Sequence, residues 1–467
     1  MTKYQLEPGS FRDRTSRVFY SENSVFRALN KQALGEWEVL SSSKFFSRFI
    51  AEGKIVQTKR VEFPGNLDSV IPGKWSAFLK HQPIPFISYP YEWSFGMLKD
   101  AALLQIELLL AALDEDMVLK DSSAFNFQWK GVSPVFIDIP SFEKLASGEP
   151  WVGYRQFCQM FLYPLFLQGY KNIPFQPWLR GNIDGIDPEI CNNLLSVRDL
   201  LRPGVFMHVC LQAKMQARYA STQKDIKKDV STAGFNKKLI KNNIEGLRKL
   251  IRGLSWKRSS SQWSHYVNEH IYTDSDHEIK KSFVCDVISL QTWNLVWDLG
   301  CNTGAFSRIA AENAQYVLAM DADQLAIEYF YQELKKEKIS KILPLIYNIA
   351  DPSPNLGWQG AERKSLPERG KPDLILCLAL LHHIVISSNI PLKEFVEWLA
   401  RPGTSLIIEF VTKEDPMVKT LLLNKEDNYM DYEIEYFENC LSKAFNIIKR
   451  NALKCGTRIL YFARART

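Results

Sequence analysis

The chain has no long apolar run, no paired-cysteine motif and no strong excess of charge. Its eight cysteines are scattered over 467 residues without a Cys-x-x-Cys pair, which favours reduced thiols. The most apolar run, Ala101 to Leu113, is too short to span a bilayer and contains Gln105 and Glu107. The amino-terminal stretch MTKYQLEPGSFRDR lacks the apolar core of a signal peptide. We therefore expect a cytoplasmic protein without a membrane span, and we predict no metal site.

The net charge of +6 is too small to indicate a nucleic-acid partner by itself, but the basic residues are unevenly distributed. The stretch from Lys214 to Arg258 holds 13 Lys or Arg against three acidic residues and ends in a serine-rich passage. This composition predicts a solvated helical linker over 221–260, between a domain of 1–220 and a domain of 261–467. A surface for nucleic acid or for an acidic partner is the alternative interpretation.

The dinucleotide fingerprint Gly-x-Gly-x-x-Gly is absent too, although a glycine turn does follow a buried strand. The apolar run LVW predicts the strand, and Asp298-Leu-Gly-Cys-Asn-Thr-Gly304 then leads into a helix. Gly300 and Gly304 remove side chains that would keep a ligand away from the backbone. The free amides at the start of the helix suit a carboxylate. The pattern predicts a turn that binds a nucleotide cofactor.

Further apolar runs alternate with helical stretches up to the end of the chain. They predict five parallel strands separated by helices, followed by a hairpin. The fold class is therefore α/β, with a doubly wound sheet of about seven strands. The predicted strands after the glycine turn are 316–320, 345–349, 373–380, 405–411, 446–448 and 458–462.

Polar side chains stand where these predicted strands end. Asp321 follows the second strand, 23 residues after Asp298, where a carboxylate can accept both hydroxyls of a ribose. Asp351 follows the third strand. His382 and His383 follow the fourth strand, at the edge of the sheet where a substrate base would lie. These positions predict a cofactor crevice with a candidate catalytic histidine beside it.

The glycine turn resembles the first motif of class I S-adenosylmethionine (SAM) dependent methyltransferases, D/E-x-G-x-G-x-G. The resemblance implies a Rossmann-like methyltransferase sheet and SAM as cofactor, with the adenine amino group beside Asp351. No Asn/Asp-Pro-Pro-Tyr/Phe motif follows the fourth strand, which argues against methylation of exocyclic base or amide nitrogens by that route. A hydroxyl acceptor with a histidine base, or a carbon acceptor, fits better. The implied cofactor-binding residues are Asp298, Gly300, Asn302 in the place of the middle glycine, Gly304, Asp321 and Asp351.

A second resemblance lies in the amino-terminal half. The segment LKDSSAFNFQWKGVSPVFIDIP is similar to the catalytic segment of protein kinases and kinase-like phosphotransferases. Asp121, Asn126 and Asp138 would orient an acceptor hydroxyl and hold magnesium. No His-Arg precedes Asp121 and no glycine-rich loop lies near the first hairpin, where Arg27 is the one cation we nominate. We expect an α+β domain with a kinase-like scaffold used for recognition and with weak nucleotide binding at most.

Nearly the whole chain resembles bacterial two-part proteins identified as class I SAM-dependent methyltransferases, some of them linked to host-specific nodulation. The stretches that carry this resemblance include SYPYEWSFGMLKDAALL, PVFID, DPSPNLGW and LIIEFV. It implies methyl transfer, and we expect a small-molecule acceptor. An RNA or protein methyltransferase that uses the basic middle segment is an alternative. A bifunctional enzyme, or a SAM-binding regulator without catalysis, is another. The oligomeric state does not follow from the sequence.

Overall fold

The computed structural model describes residues 4–21, 24–62, 71, 73–146, 148–214, 237–257, 274–423, 425 and 428–466. The chain divides into two compact units. The N-terminal unit consists of Met1–Lys257 together with Asn355–Lys364, and the C-terminal unit consists of Arg258–Pro354 together with Ser365–Thr467. Over the described ranges, no helix combines the length and the apolar character needed to cross a membrane.

The N-terminal unit has the predicted α+β composition, with a five-stranded antiparallel sheet and two shorter strand pairs. Its strands are β1 (Tyr4–Leu6), β2 (Ser16–Ser21), β3 (Ser24–Leu29), β4 (Thr58–Val61), β5 (Ala77–His81), β6 (Met117–Leu119), β7 (Phe127–Lys130), β8 (Ser133–Phe136) and β9 (Phe142–Lys144). The large sheet has the order β1-β2-β3-β5-β4, while β6 pairs with β9 and β7 with β8. In the β2–β3 hairpin the rings of Phe19 and Phe26 stack with centroids 5.3 Å apart.

The longest helix of this unit, α3, is apolar on nearly all sides and buried. Ser94 accepts a hydrogen bond from the Met97 amide and so caps its first turn. The helices are α1 (Lys31–Ser42), α2 (Lys44–Ala51), α3 (Phe95–Asp114), α4 (Tyr154–Phe157), α5 (Tyr163–Lys171), α6 (Gln176–Gly181), α7 (Pro188–Leu194) and α8 (Lys237–Gly253).

Helix α8 lies inside the segment predicted to be a solvated linker. Ile240, Ile244, Leu247 and Ile251 are buried, and the helix packs against α3. Their spacing forms one apolar stripe on an otherwise basic helix, and a count of charges does not reveal that stripe. The described part of the predicted linker is therefore a packed helix of the N-terminal unit, whereas 215–236 lie outside the described residues.

The C-terminal unit contains a seven-stranded sheet, as predicted. Its strands are β10 (Trp293–Leu299), β11 (Ala314–Asp321), β12 (Ile342–Ile346), β13 (Leu374–Cys377), β14 (Ser405–Val411), β15 (Phe445–Ala452) and β16 (Arg458–Ala465). The order is β12-β11-β10-β13-β14-β16-β15, in which β16 runs antiparallel to both of its neighbours. The direction of strand addition reverses between β10 and β13, and open α/β sheets bind ligands at such a point.

Two strands end earlier than the apolar runs predicted. β12 ends at Ile346 rather than at 349, and β13 ends at Cys377 rather than at 380. Apolar residues continue past both ends and pack in loops, and Ala379 has a φ of 52°, which no strand residue adopts. The helices of this unit are α9 (Asp274–Ile288), α10 (Ala305–Asn313), α11 (Gln324–Glu337), α12 (Leu366–Arg369), α13 (Leu392–Ala400), α14 (Pro416–Leu422) and α15 (Ile434–Ala444), with a π-helical turn at His383–Ser387.

Candidate active site

A cavity of about 420 Å³ lies in the C-terminal unit, among the loops that follow β10, β11, β12 and β13. These loops leave the carboxyl ends of the parallel strands, where the sequence predicted a crevice. Six of the eight predicted site residues line the cavity: Asp298, Gly300, Asn302, Asp321, His382 and His383.

The glycine turn between β10 and α10 has three residues in the left-handed region. The φ angles are 72° at Gly300, 49° at Asn302 and 83° at Gly304. Asparagine tolerates this region better than most residues, which explains how it can replace the middle glycine of the motif. Gly304 immediately precedes α10. A Cβ at this position would lie 1.9 Å from the Cζ atom of Phe330. The last glycine therefore lets α10 start against that ring.

Asp298, the penultimate residue of β10, is 2% exposed. The Ser307 hydroxyl donates a 2.6 Å hydrogen bond to its Oδ2 atom. Burial raises the pKa of Asp298 to about 7 despite this hydrogen bond. A cationic ligand group beside this carboxyl would favour its charged form.

Asp321 ends β11 and holds two loops together. Its Oδ2 atom accepts from the Asn302 amide and its Oδ1 atom from the Asp323 amide, each at 2.8 Å. Burial raises the pKa of this carboxyl as well. Each carboxylate oxygen has a second lone pair, so the side chain can still accept hydroxyl groups from a ligand in the cavity.

His382 and His383 follow β13, and their ring centroids are 4.1 Å apart. His382 is 2% exposed, and burial together with the neighbouring His383 lowers its pKa well below the ordinary histidine value. Burial also lowers the pKa of His383, to about 4. Both imidazoles are therefore neutral near pH 7. Within the described residues, Nδ1 of His382 has no hydrogen-bond partner.

Asp351 is exposed and does not line the cavity. Because β12 ends at Ile346, the chain has already turned away from the sheet when it reaches this residue. The loop residues that do line the cavity are Tyr347, Asn348 and Ile349. The prediction that Asp351 lies beside a bound adenine therefore finds no support in its position.

A curated relative matches almost the full length of the chain. The chain is 33% identical over 455 residues to the nodulation protein NoeA of Rhizobium meliloti (strain 1021), and the match covers 97% of this chain and 94% of that protein. The chain belongs to the NoeA family. No protein-family model matches the sequence.

Solved structures similar to this NoeA-family chain include several methyltransferases. N-methyltransferase NodS from Bradyrhizobium japonicum WM9, in complex with S-adenosyl-L-homocysteine (SAH), has a TM-score of 0.32 at 12% identity, with coverage of 44% of this chain and 100% of NodS. A SAM-dependent methyltransferase from Clostridium acetobutylicum ATCC 824 has a TM-score of 0.33 at 16% identity, with coverage of 44% and 98%. Magnesium protoporphyrin IX methyltransferase from Synechocystis PCC 6803, with bound SAH, has a TM-score of 0.30 at 19% identity, with coverage of 43% and 95%.

Two buried cations also line the cavity and were missed from the sequence. Nζ of Lys280, on α9, lies 2.6 Å from Oε2 of Glu409, on β14. Arg458, at the start of β16, contacts Oε1 of Glu409 at 3.5 Å and Oδ2 of Asp415 at 2.7 Å. All four side chains are at most 4% exposed. Each cation is thus paired with a carboxylate, and the four side chains together add no net charge to the lining of the cavity.

One signal in the sequence pointed to this network. Glu409 interrupts the apolar run LIIEFV, and a carboxylate inside a buried strand requires a partner. The partners themselves, Lys280 and Arg458, stand in segments without a motif. Over the described ranges, no group of three or more His, Cys, Asp or Glu side chains has the geometry of a metal site.

The three kinase-motif residues lie close together in the N-terminal unit. Ser141 donates to Oδ2 of Asp138 at 2.5 Å and accepts from the Asn126 amide group at 3.4 Å. Burial, together with the nearby Asp138, raises the pKa of Asp121. The guanidinium of Arg27 lies 3.0 Å from Oδ1 of Asp138, so the cation nominated from the sequence is paired with the carboxylate itself.

Proposed function

We propose that the C-terminal unit is a SAM-dependent methyltransferase that acts on a hydroxyl group of a small, uncharged acceptor. The observation that carries this proposal is the meeting of three features in one cavity: a buried and a partly buried carboxylate, a left-handed glycine turn and a neutral histidine pair. The turn also lacks the Gly-x-Gly-x-x-Gly spacing of a Rossmann dehydrogenase.

The residues present fit the chemical groups of SAM. The cavity volume of about 420 Å³ is in the range of pockets that hold one small ligand. Asp298 would hold the amino group, the amides at the start of α10 the carboxylate, and Asp321 the ribose hydroxyls. Bound SAM supplies a methyl group on an electrophilic sulfonium, so the chain has only to align the acceptor and exclude water.

The acceptor side of the cavity is formed by the histidine pair and apolar side chains. His382 presents a neutral ring nitrogen that can accept a hydrogen bond from an acceptor hydroxyl and take its proton. Leu380, Ile384 and Met417 line the same cavity and limit access of water. The matched charges of the Lys280–Glu409 pair leave no excess charge to attract an ionic acceptor.

A nucleic-acid acceptor has less support from the basic middle segment. Two of the lysines on α8 face acidic side chains at the end of α3 and beyond it. Lys237 contacts Asp116 at 2.6 Å, and Lys241 is paired with Asp114. These lysines are therefore partly neutralised within their own unit. This arrangement favours a structural role for the described part of the basic segment.

Phosphotransfer by the N-terminal unit also has less support. A carboxylate that holds magnesium must offer its oxygens to the metal, but Asp138 already receives the Arg27 guanidinium and the Ser141 hydroxyl. The proposal is thus a methyltransferase whose kinase-like scaffold does not transfer phosphate. Calorimetry with ATP and magnesium tests this point, and metal-dependent ATP binding would make a bifunctional enzyme the better interpretation.

Calorimetry with SAM and SAH on the full chain tests the cofactor assignment. Asp321→Ala should weaken binding by about 1.5–3 kcal/mol, because a charged group loses its hydrogen bonds. Asp351→Ala is the matched control, and it should leave the affinity unchanged because the residue lies outside the cavity. Absence of SAM binding to the wild-type chain would refute the proposal.

The acceptor class requires a separate experiment. Purified protein is incubated with methyl-labelled SAM and a cell extract, and the label is followed into small molecules, RNA and protein. We expect the label in a small product that resists ribonuclease and protease. Label in RNA or in protein would contradict the proposed acceptor while leaving the cofactor assignment intact.

A further inference from the structure

A ten-residue segment, Asn355–Lys364, connects β12 to β13 in sequence but belongs to the N-terminal unit. We call it the inserted loop. The backbones of Leu356 and Arg363 exchange hydrogen bonds of 2.9 and 3.1 Å, which close the loop on itself. Gly357 and Gly360 have φ angles of 84° and 66° and make the tight return possible. Backbone hydrogen bonds within the loop thus contribute to its conformation.

Glu362 is the most buried charged residue of the inserted loop, with a side chain that is 1% exposed. Both of its oxygens receive the Arg12 guanidinium, each at 2.7 Å, and one also accepts from the Trp358 amide. The hydrogen bond from Arg12 lowers the pKa of Glu362. The backbone at Gly9 approaches closely, since a Cβ there would lie 3.2 Å from the Cα atom of Glu362. The fit leaves little room beside the backbone of the loop at Glu362.

The two following residues of the loop contact other parts of the unit. The guanidinium of Arg363 lies 3.8 Å from the ring centroid of Phe125. Lys364 reaches Glu7 with its Nζ atom at 2.6 Å, and its amide donates to the Tyr89 hydroxyl at 2.7 Å. Three consecutive charged residues therefore find three different sets of partners.

These partners come from separate regions of the N-terminal unit. Glu7 and Arg12 flank the first strands of the sheet, whereas Phe125 lies between Asp121 and Asn126 of the kinase-like segment. The inserted loop therefore contacts the kinase-like segment, through Arg363 and Phe125. A surface that matches an acidic, a guanidinium and an ammonium side chain in sequence has the character of a peptide-binding site.

We propose that the N-terminal unit is a docking module for the inserted loop, and that docking holds the β12–β13 connection in the form that binds SAM. The first residues of that connection, Tyr347–Ile349, line the cavity, and only five residues separate Ile349 from Asn355. Release of the loop would free this connection and weaken cofactor binding without a change to any residue of the cavity. The second part of this proposal rests on the proposed function.

Hydrogen exchange and SAH calorimetry on the full chain test the proposal. Arg12→Ala removes the partner of Glu362 but replaces a side chain that is 59% exposed, so the variant should fold. We expect exchange of the Leu356, Arg363 and Lys364 amides to rise about tenfold or more, since protection depends on local opening. SAH affinity should fall about fivefold or more, the lower end of typical coupling between sites.

Two further variants separate docking from general damage. The double variant Arg12→Ala/Glu362→Ala should exchange no faster than Glu362→Ala alone, because Glu362→Ala already removes the contact with Arg12. Gly9→Ala should also increase exchange, whereas Gly35→Ala on α1 should not, since a Cβ at Gly35 meets no atom within 4 Å.

Unchanged exchange in Arg12→Ala would overturn the docking. Faster exchange with unchanged SAH affinity would overturn its effect on the cavity. A wild-type chain that binds no SAH would count against the proposed function alone, and the exchange data would still decide the docking.

Discussion

The Ser307 hydroxyl donates to Oδ2 of Asp298 at 2.6 Å, and both side chains are buried beside the cavity. This hydrogen bond favours the charged carboxylate, but burial outweighs it and raises the pKa of Asp298 to about 7. The carboxyl therefore changes its charge in the physiological range, and binding of a cation next to it is linked to pH.

The contribution of Asp298 to the stability of the ligand-free protein should decrease as pH rises from about 4 to about 7. Asp298 has an ordinary pKa of 3.8 when unfolded and about 7 when folded, so the folded state holds the proton more tightly. That stabilisation is complete below the unfolded pKa and is lost as pH rises through the folded value, at no more than about 1.4 kcal/mol per pH unit. Urea denaturation at several pH values measures this, and Asp298→Asn should flatten the dependence.

The same carboxyl should link SAH binding to proton release. The ligand's amino group favours charged Asp298, so affinity should rise between pH 6 and pH 8 and a proton should leave on binding. Calorimetry in two buffers with different ionisation enthalpies counts this proton. Affinity in wild type that does not vary with pH would contradict the placement of the amino group.

Gly304→Ala should destabilise the C-terminal unit by about 3 kcal/mol or more, because the new Cβ overlaps the Phe330 ring and the left-handed φ strains an alanine. Gly246→Ala on α8 is the matched control. It adds a Cβ in open space within a helix and should be neutral or slightly stabilising. Equal denaturation midpoints for the two variants would show that the turn is looser than described.

His382→Gln should lower the rate of methyl transfer by about 10²- to 10⁴-fold, the usual contribution of a positioned acid or base. SAH affinity should stay at the wild-type value, since we propose that this residue contacts the acceptor rather than the cofactor. At saturating SAM the rate of the wild-type enzyme should not fall between pH 8 and pH 5.5, because the pKa values of both histidines are lowered, that of His383 to about 4. A rate that falls near pH 6.5 would show an ordinary histidine base instead.

Lys280→Met should destabilise the C-terminal unit by about 3–5 kcal/mol, because Glu409 would keep a buried charge without its 2.6 Å contact to Lys280. Adding Glu409→Met should recover at least half of this loss, since Arg458 would retain its pair with Asp415. The test is urea denaturation of both variants. A double variant less stable than Lys280→Met would contradict this account of the network.

The glycine turn and Asp321 could be placed at one cavity from the sequence because their arrangement depends on local chain geometry. A strand, a glycine turn and a helix are contiguous, and Asp321 follows at a spacing set by the intervening helix. The ends of β12 and β13 were predicted too late for a different reason. Apolar residues such as Tyr347 and Leu380 continue past the strand ends to line the cavity, so hydrophobicity does not mark where each strand stops.

Contacts between distant segments left almost no trace in the sequence. Lys280, Glu409 and Arg458 meet across three elements, and only the glutamate was conspicuous in its strand. The inserted loop pairs residues about 350 positions apart, as in Arg12 with Glu362. Its sequence, NLGWQGAERK, is that of an ordinary polar turn. Helix α8 was also misinterpreted, because its basic composition hid the apolar stripe that packs on α3.

The inserted loop also affects how the gene can be divided. The chain passes between the two units three times, after residues 257, 354 and 364. A cut near residue 257 would therefore not yield two complete halves: one product would lack the ligand of its docking surface, and the other would carry Glu362 without Arg12. Chimaeras assembled from two members of the family must take the loop from the donor of the amino-terminal half. Substitutions at the loop and at its partners should accordingly accumulate together as relatives diverge.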